Sequence, residues 1–193
     1  MSGWGATGQH RTPVLVEGLP QGDLVDISIA SFDPEVGCGV LVLDNQGRVW
    51  AWGLDVYGEL GTLHLASPLH YPTKVFRNDQ LIGIGSAFGS GFVVHRTLGV
   101  VGTGRYGGGS GPFDQAPTTT WWVPWWFPMV RAGKEVEAVG ITGGGNQLVV
   151  TTSDNRFLVS GTVPFPMATG SAPAVVGGLW EFSVDSVRSV LNM

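Results

Sequence analysis

The sequence predicts an all-β chain, a partial β-propeller of about three to four blades, each a four-stranded antiparallel sheet. Three observations predict it. A short apolar run closing on glycine recurs, most plainly as Arg48-Val49-Trp50-Ala51-Trp52-Gly53 and Arg156-Phe157-Leu158-Val159-Ser160-Gly161. Val100-Val101-Gly102-Thr103-Gly104 and Gly3-Trp4-Gly5 are weaker copies. The closing glycines, Gly5, Gly53, Gly104 and Gly161, stand 48, 51 and 57 residues apart, about the length of a propeller blade. Finally, 31 of the 193 residues are glycine, 13% are charged and 43% are apolar, which suits many short buried strands joined by tight turns and argues against disorder.

Each repeat opens on proline followed by a β-branched or similar residue: Pro13-Val14, Pro72-Thr73-Lys74-Val75, Pro128-Met129-Val130 and Pro173-Ala174-Val175. A second strand follows, as Val25 to Ala30, Leu81 to Gly85 and Val136 to Gly140. Then comes a glycine cluster (Gly37-Cys38-Gly39, Gly89-Ser90-Gly91, Gly143-Gly144-Gly145) and a third, apolar strand (Val40 to Leu43, Phe92 to His95, Leu148 to Thr151). Turns rich in Asp, Asn and Gly, such as Asp44-Asn45-Gln46-Gly47 and Ser153-Asp154-Asn155, tolerate the left-handed backbone a hairpin needs and lead into the closing strand. The repeats so drawn span 13–61, 72–111, 128–161 and 173–193 of one domain covering 1–193, with a Trp-rich insertion at 112–127. At the C-terminus Val184, Val187, Val190 and Leu191 recur with helical spacing, whereas the repeat register asks for a strand; the register is preferred.

Ten basic residues against fifteen acidic give a net charge of −5, which makes nucleic-acid binding unexpected, since no basic stripe or tail is present. The lone Cys38 makes neither a disulfide framework nor a zinc site, and it fits a reducing, intracellular location in cytoplasm or nucleus. No signal-peptide pattern and no apolar run of membrane-spanning length is expected to direct the chain to a membrane.

The stretch 47–61, Gly-Arg-Val-Trp-Ala-Trp-Gly-Leu-Asp-Val-Tyr-Gly-Glu-Leu-Gly, resembles the signature of the regulator-of-chromosome-condensation repeat family. In that signature Trp-Gly is followed by Asn or Asp and then Gly-Gln-Leu-Gly. Trp52, Gly53, Asp55, Gly58 and Gly61 stand at its positions, with Glu59 where the family has Gln. Trp4-Gly5-Ala6-Thr7-Gly8-Gln9 resembles a shortened copy. The chain departs from the family where His-Ser is usual at the third strand; Gly39-Val40, Gly91-Phe92 and Gln147-Leu148 stand there instead. A kelch-type propeller fits less well, because neither Tyr nor Trp follows Gly143-Gly144-Gly145 at the required distance.

The resemblance implies a ring of about seven blades, roughly 350 residues at about 50 per blade. This chain holds about half of that, so open blade faces are expected. Three outcomes follow: a shortened product or fragment, two copies closing one ring, or a subunit that docks its faces on other proteins. A compact four-bladed ring joined through the termini would lack one apolar third strand.

The most unusual candidate site is Thr118-Thr119-Thr120-Trp121-Trp122-Val123-Pro124-Trp125-Trp126-Phe127-Pro128. Trp121, Trp122, Trp125 and Trp126, placed in a long connection, are candidate partner-binding residues, because Trp gives large contact area at low entropy cost; the competing role is packing over blade ends. Gly102-Thr103-Gly104-Arg105-Tyr106-Gly107 spells a dinucleotide fingerprint, but the glycines and proline after it cannot start the helix such a site needs. His10, His64, His70 and His95 lack metal spacing and are expected in loops; Asp33 with Glu35 and Glu135 with Glu137 are expected as solvated turn residues; Cys38 is expected as a small buried side chain. No catalytic residue, metal or cofactor is assigned.

The sequence therefore predicts a non-catalytic interaction scaffold or complex subunit with protein partners, a second copy among them. The resemblance adds an alternative, guanine-nucleotide exchange on a small GTPase, the activity of the family's founding member. A lectin-like or inhibitory binder ranks below both.

Overall fold

A computed structural model describes residues 15–33, 37–62, 68–87, 89–104, 119–124, 130–131, 134–135, 137–144, 147–162 and 175–182. Among these every regular element is a strand. The first sheet runs β1 (Leu24–Asp33), β2 (Gly37–Asp44), β3 (Arg48–Gly53), β4 (Leu69–Arg77), each paired antiparallel with its sequence neighbour. The second repeats the order with β5 (Leu81–Ala87), β6 (Ser90–His95), β7 (Gly99–Gly104) and β8 (Thr119–Pro124). A two-residue pair, β9 (Val130–Arg131) with β10 (Lys134–Glu135), precedes the third. That sheet is β11 (Ala138–Gly144), β12 (Gln147–Thr152), β13 (Phe157–Thr162) and β14 (Val175–Phe182). The expected all-β architecture of four-stranded antiparallel blades is thus present.

The blades share their details. Register shifts fall between Leu24 and Asp26, Leu81 and Gly83, and Ala138 and Gly140, so Val25, Ile82 and Val139 are the same bulged residue at a spacing of 57. Ile27, Ile84 and Ile141 pair with Val42, Val93 and Val150 and are equivalent in the same way. The inner strand β5 packs against both β1 and β11. Asp26 ties the first two inner strands together, one carboxylate oxygen accepting the Ile84 amide at 2.9 Å.

Alternation along each strand supplies the cores, because side chains on successive residues face opposite sides of the sheet. Leu41, Leu43, Val49 and Ala51 of the first blade meet Leu81, Ile84, Val93 and Val101 of the second, with Leu60 between them. Phe92, Val94 and Val100 on the far side of the second blade meet Ala138, Ile141, Leu148 and Val150 of the third. Each fully buried Val, Leu, Ile or Phe contributes about 1.5–3 kcal/mol.

The grouping of strands into repeats is out of phase with the blades by one strand. The sequence placed the Pro72 strand at the opening of the second repeat and the Pro173 strand at the opening of a fourth. In the structure β4 and β14 are the outermost strands of the first and third sheets. The physical reason is that β3 and β13 each leave a free edge, and the next strand fills it; only the short link 78–80 then leads to an inner strand. Pro72 is tolerated because an outermost strand has no ladder partner on one side. The segment 112–127 likewise holds part of a blade: Thr119–Pro124 is the outermost strand of the second sheet, not a free connection. The strands expected at 3–5 and 13–14, and the alternative helix or strand at 184–191, lie outside the described residues.

In each blade the hairpin between the second and third strands is closed by a polar side chain at one equivalent position. Asp44 accepts from the amides of Gln46 (2.9 Å) and Arg48 (3.0 Å), the Arg48 guanidinium (2.6 Å) and the Trp50 indole (2.9 Å). His95 uses Nδ1 to accept from the amides of Thr97 and Leu98, both 3.2 Å away. Thr152 accepts from the Arg156 amide at 3.2 Å and donates to Asp154 at 2.5 Å, and Asp154 also pairs with the Arg156 guanidinium. In this turn Asn155 takes the left-handed backbone expected of it, with φ of 62°. His95 and His70 therefore sit on strands rather than in loops, and His95 is buried.

Burial alone would raise the Asp44 carboxyl, but the Trp50 indole, the Arg48 amide and guanidinium and the Gln46 amide together hold it below its ordinary value of 3.8. A carboxyl lowered in the folded state stabilises above its unfolded value and loses that contribution as the pH falls through the folded one. Asp44→Ala is expected to cost about 2–4 kcal/mol at neutral pH, because a partly buried guanidinium and an indole lose their shared acceptor. Urea unfolding measures this, and the gap from the parent chain should narrow in acid, below about pH 4.

Candidate functional site

Two features outside the strand ladders carry functional potential: the loop 54–62 and the uncovered side of the first blade. The loop begins where Gly53, at φ of 96°, turns the chain out of β3. The Leu54 amide donates to the Cys38 carbonyl at 3.1 Å, and the Gly61 amide donates to the Gly58 carbonyl at 3.0 Å. Asp55 is fully buried and accepts from the Leu60 amide at 3.0 Å and the Thr62 hydroxyl at 2.5 Å. Glu59 is 1% exposed, and one of its carboxylate oxygens accepts from the Tyr57 amide at 2.6 Å.

The loop is pressed onto the second blade. The Gly58 carbonyl accepts the Thr103 hydroxyl at 2.7 Å. The Tyr57 ring lies 2.8 Å from where a Cβ on Gly89 would stand, and the Glu59 carbonyl oxygen 2.3 Å from a Cβ on Gly91. Gly104, at φ of 99°, has the Glu59 Cα 2.9 Å from its Cβ position. The glycines just before and within the start of β6 and at the end of β7 thus make the seat into which the loop fits, while Leu60 enters the core between the blades.

Electrostatics inside the loop are unusual. Burial raises the Glu59 carboxyl, hydrogen bonds from its own amide and that of Tyr57 lower it, and the neighbouring Asp55 charge raises it again; the balance is pushed up to about 7. Burial also raises Asp55, against hydrogen bonds from Thr62, Leu60 and Glu59. Two carboxyls in one dry site resist ionising together. The sequence signal for this pair was Glu in place of Gln four residues after Asp55.

The second feature is the side of the first blade that faces away from the second. Ile84 and Ile141 are 2% and 8% exposed in their junctions, but the equivalent Ile27 is 62% exposed. Leu24 and Ile29, on the same side of β1 by register, are 49% and 56% exposed. Further out on the same side, Val40, Val42 and Trp52 are buried with Leu19, Trp50 and Leu69 packed against them. Sequence reasoning expected an open face without naming its residues; a register by inner strand, at 57 residues, would have found Ile27.

The signature residues Trp52, Gly53, Asp55, Gly58 and Gly61 are thus brought together, Trp52 toward the open side and the others in the loop. Trp121 and Trp122 lie on β8, whose first residue pairs with Gly104. Trp125 and Trp126 lie outside the described residues, as do His10, His64, Glu35 and 105–107 of the fingerprint. Cys38 is half-buried rather than sealed, and burial pushes its thiol up. Asp33 ends β1, Glu135 is on β10 and Glu137 is exposed. Among the described residues no group of three or more His, Cys, Asp or Glu could hold a metal ion, and no helix is long and apolar enough to cross a membrane.

Solved structures share this arrangement. Human WBSCR16 superposes with a TM-score of 0.63 at 15% identity, over 90% of this chain and 40% of its own. Yeast RCC1 (Prp20) in its complex with Kap60 gives 0.60 at 16% identity, over 88% and 39%. Prp20p from Saccharomyces cerevisiae, solved in a study of its binding to Gsp1p and histones, gives 0.61 at 16% identity, over 90% and 42%. The fold is that of the regulator-of-chromosome-condensation β-propellers. No family model matches the sequence. The chain spans about two-fifths of the length of these regulator-of-chromosome-condensation-type structures.

Proposed function

We propose that the chain is a non-catalytic protein-interaction module of nuclear or cytoplasmic location, which docks a protein against the open side of its first blade. The observation that supports this most directly is Ile27. Its equivalents are sealed by a neighbouring blade, while Leu24, Ile27 and Ile29 together offer an apolar strip at 49–62% exposure. Contiguous exposed apolar surface of this kind marks association sites. The occupant must present a flat apolar sheet face, as another propeller blade does, and a second copy of this chain has one to offer. Trp121 and Trp122, on the outermost strand of the second blade, together with Trp125 and Trp126, are proposed as a further contact element.

Light scattering across a concentration series, on the chain alone and with any co-purifying protein, tests the reading. Ile27→Asp is expected to keep the fold and weaken association at least tenfold, or about 1.4 kcal/mol or more. Unchanged association would remove the β1 face from the proposal. In the same assay, Trp121→Ser with Trp125→Ser, then Trp122→Ser with Trp126→Ser, separates contact from packing. If neither pair alters association while both lower stability, the tryptophans are structural.

A second reading, nucleotide exchange on a small GTPase, draws on the structural likeness to Prp20p, which was studied with Gsp1p. Release of labelled guanine nucleotide from a small GTPase, accelerated by micromolar chain, would favour it; no acceleration would remove it.

A further inference from the structure

We propose that Asp55 and Glu59 share one proton at neutral pH and act as a pH-released clasp, holding the loop 54–62 on the second blade while the proton is present and loosening it when the proton leaves. The geometry carries this. Asp55 and Glu59 are 0% and 1% exposed, so neither charge has water to stabilise it. Asp55 already receives two donors, the Leu60 amide and the Thr62 hydroxyl, and is the better place for the single negative charge. Glu59 accepts the Tyr57 amide on one oxygen, with further help from its own amide and that of Val56. A protonated Glu59 donates its O–H to Asp55, so the pair carries one charge and one proton between them.

Glu59 is also the residue by which the loop is seated. Its carbonyl and Cα lie against Gly91 and Gly104, so displacing its backbone lifts the loop from β6 and β7. Loss of the shared proton leaves two adjacent buried carboxylates, and the way to hydrate them is to move the loop outward. Among the described residues, the elements packed on the loop offer little compensation. On β2 the ionisable groups are Cys38, whose thiol is raised, and Asp44; on β6 the only one is His95, and β7 has none. Asp44 and His95 end their strands at the hairpin turns, away from the loop. Tyr57 is the remaining ionisable side chain of the loop itself. Arg105 follows β7 and lies outside the described residues. The raised Glu59 carboxyl, up to about 7, puts release within the physiological range. A Gln at this position, as in the resembled signature, would make the same clasp without the proton.

The test is amide hydrogen exchange of the full chain from about pH 5.5 to 8.5, corrected for base-catalysed intrinsic exchange. Peptides covering 54–62 and 90–104 are expected to lose protection about tenfold or more as the pH rises, while the β2–β3 hairpin holds. Glu59→Gln should abolish that dependence, and Asp55→Asn should shift it. An infrared band from a protonated carboxyl, present in the parent chain near pH 6 and lost by pH 8.5, is expected whether or not the variants fold. Absence of that band, or the same pH profile in the parent chain and Glu59→Gln, would overturn the proposal.

Discussion

Gly104→Ala is expected to be among the most damaging single-atom additions this chain can receive, costing about 3 kcal/mol or more. Two independent strains combine. At φ of 99° an L side chain is disfavoured, and a Cβ would stand 2.3 Å from the Gly89 carbonyl oxygen and 2.9 Å from the Cα atoms of Glu59 and Ser90. None of those atoms is the end of a flexible side chain, so the strand end and the seated loop must both give way. The midpoint of urea unfolding should fall sharply, and the loop 54–62 should lose protection with it. Gly83→Ala is the control. It has no positive φ, and its Cβ would meet only a carboxylate oxygen of Asp26 at 3.6 Å and a methyl of Val94 at 4.0 Å. Its effect should stay within about 1 kcal/mol.

The second large effect distinguishes equivalent isoleucines. Ile84→Ala should cost about 2–4 kcal/mol, because it opens a cavity among Leu41, Leu43 and Val93 at the first junction. Ile27→Ala, the same chemical change one blade earlier, should stay within about 0.5 kcal/mol, since the side chain is already mostly in water. Parallel urea curves of the purified chain measure both. Equal costs would mean that the β1 face is covered in solution, and light scattering would then say whether a second copy covers it.

What the sequence made legible was the local part of the fold. The hairpins at Asp44 to Gly47 and Ser153 to Asn155 join strands only a few residues apart, so turn residues and flanking apolar runs announce them. The closing glycines were equally plain, because the left-handed backbone at Gly53 and Gly104 leaves few residues to choose from. The outermost strands were not legible in the same way. Leu69–Arg77 reaches β3 across the connection 54–68, and Thr119–Pro124 reaches β7 across 105–118, so pairing there is decided by a free edge rather than by a turn. That is why Pro72 was assigned to the wrong blade and Trp121 and Trp122 to a connection. Within the signature loop, Trp52 and the glycines were found by resemblance, but the burial of Glu59 beside Asp55 depends on how the loop sits against Gly91 and Gly104, which only three dimensions disclose.

The one-strand offset between sequence unit and blade also fixes where this chain can be cut and spliced. A segment excised from one closing glycine to the next would carry the rim of one sheet and the body of another, and would arrive in a host as two unfinished pieces. The seam that yields a self-contained module runs through 78–80, where the chain crosses from rim to hub in three residues. A graft beginning at Leu81 takes β5 to β8 as a whole, with Ile84 ready to be sealed by whatever blade precedes it.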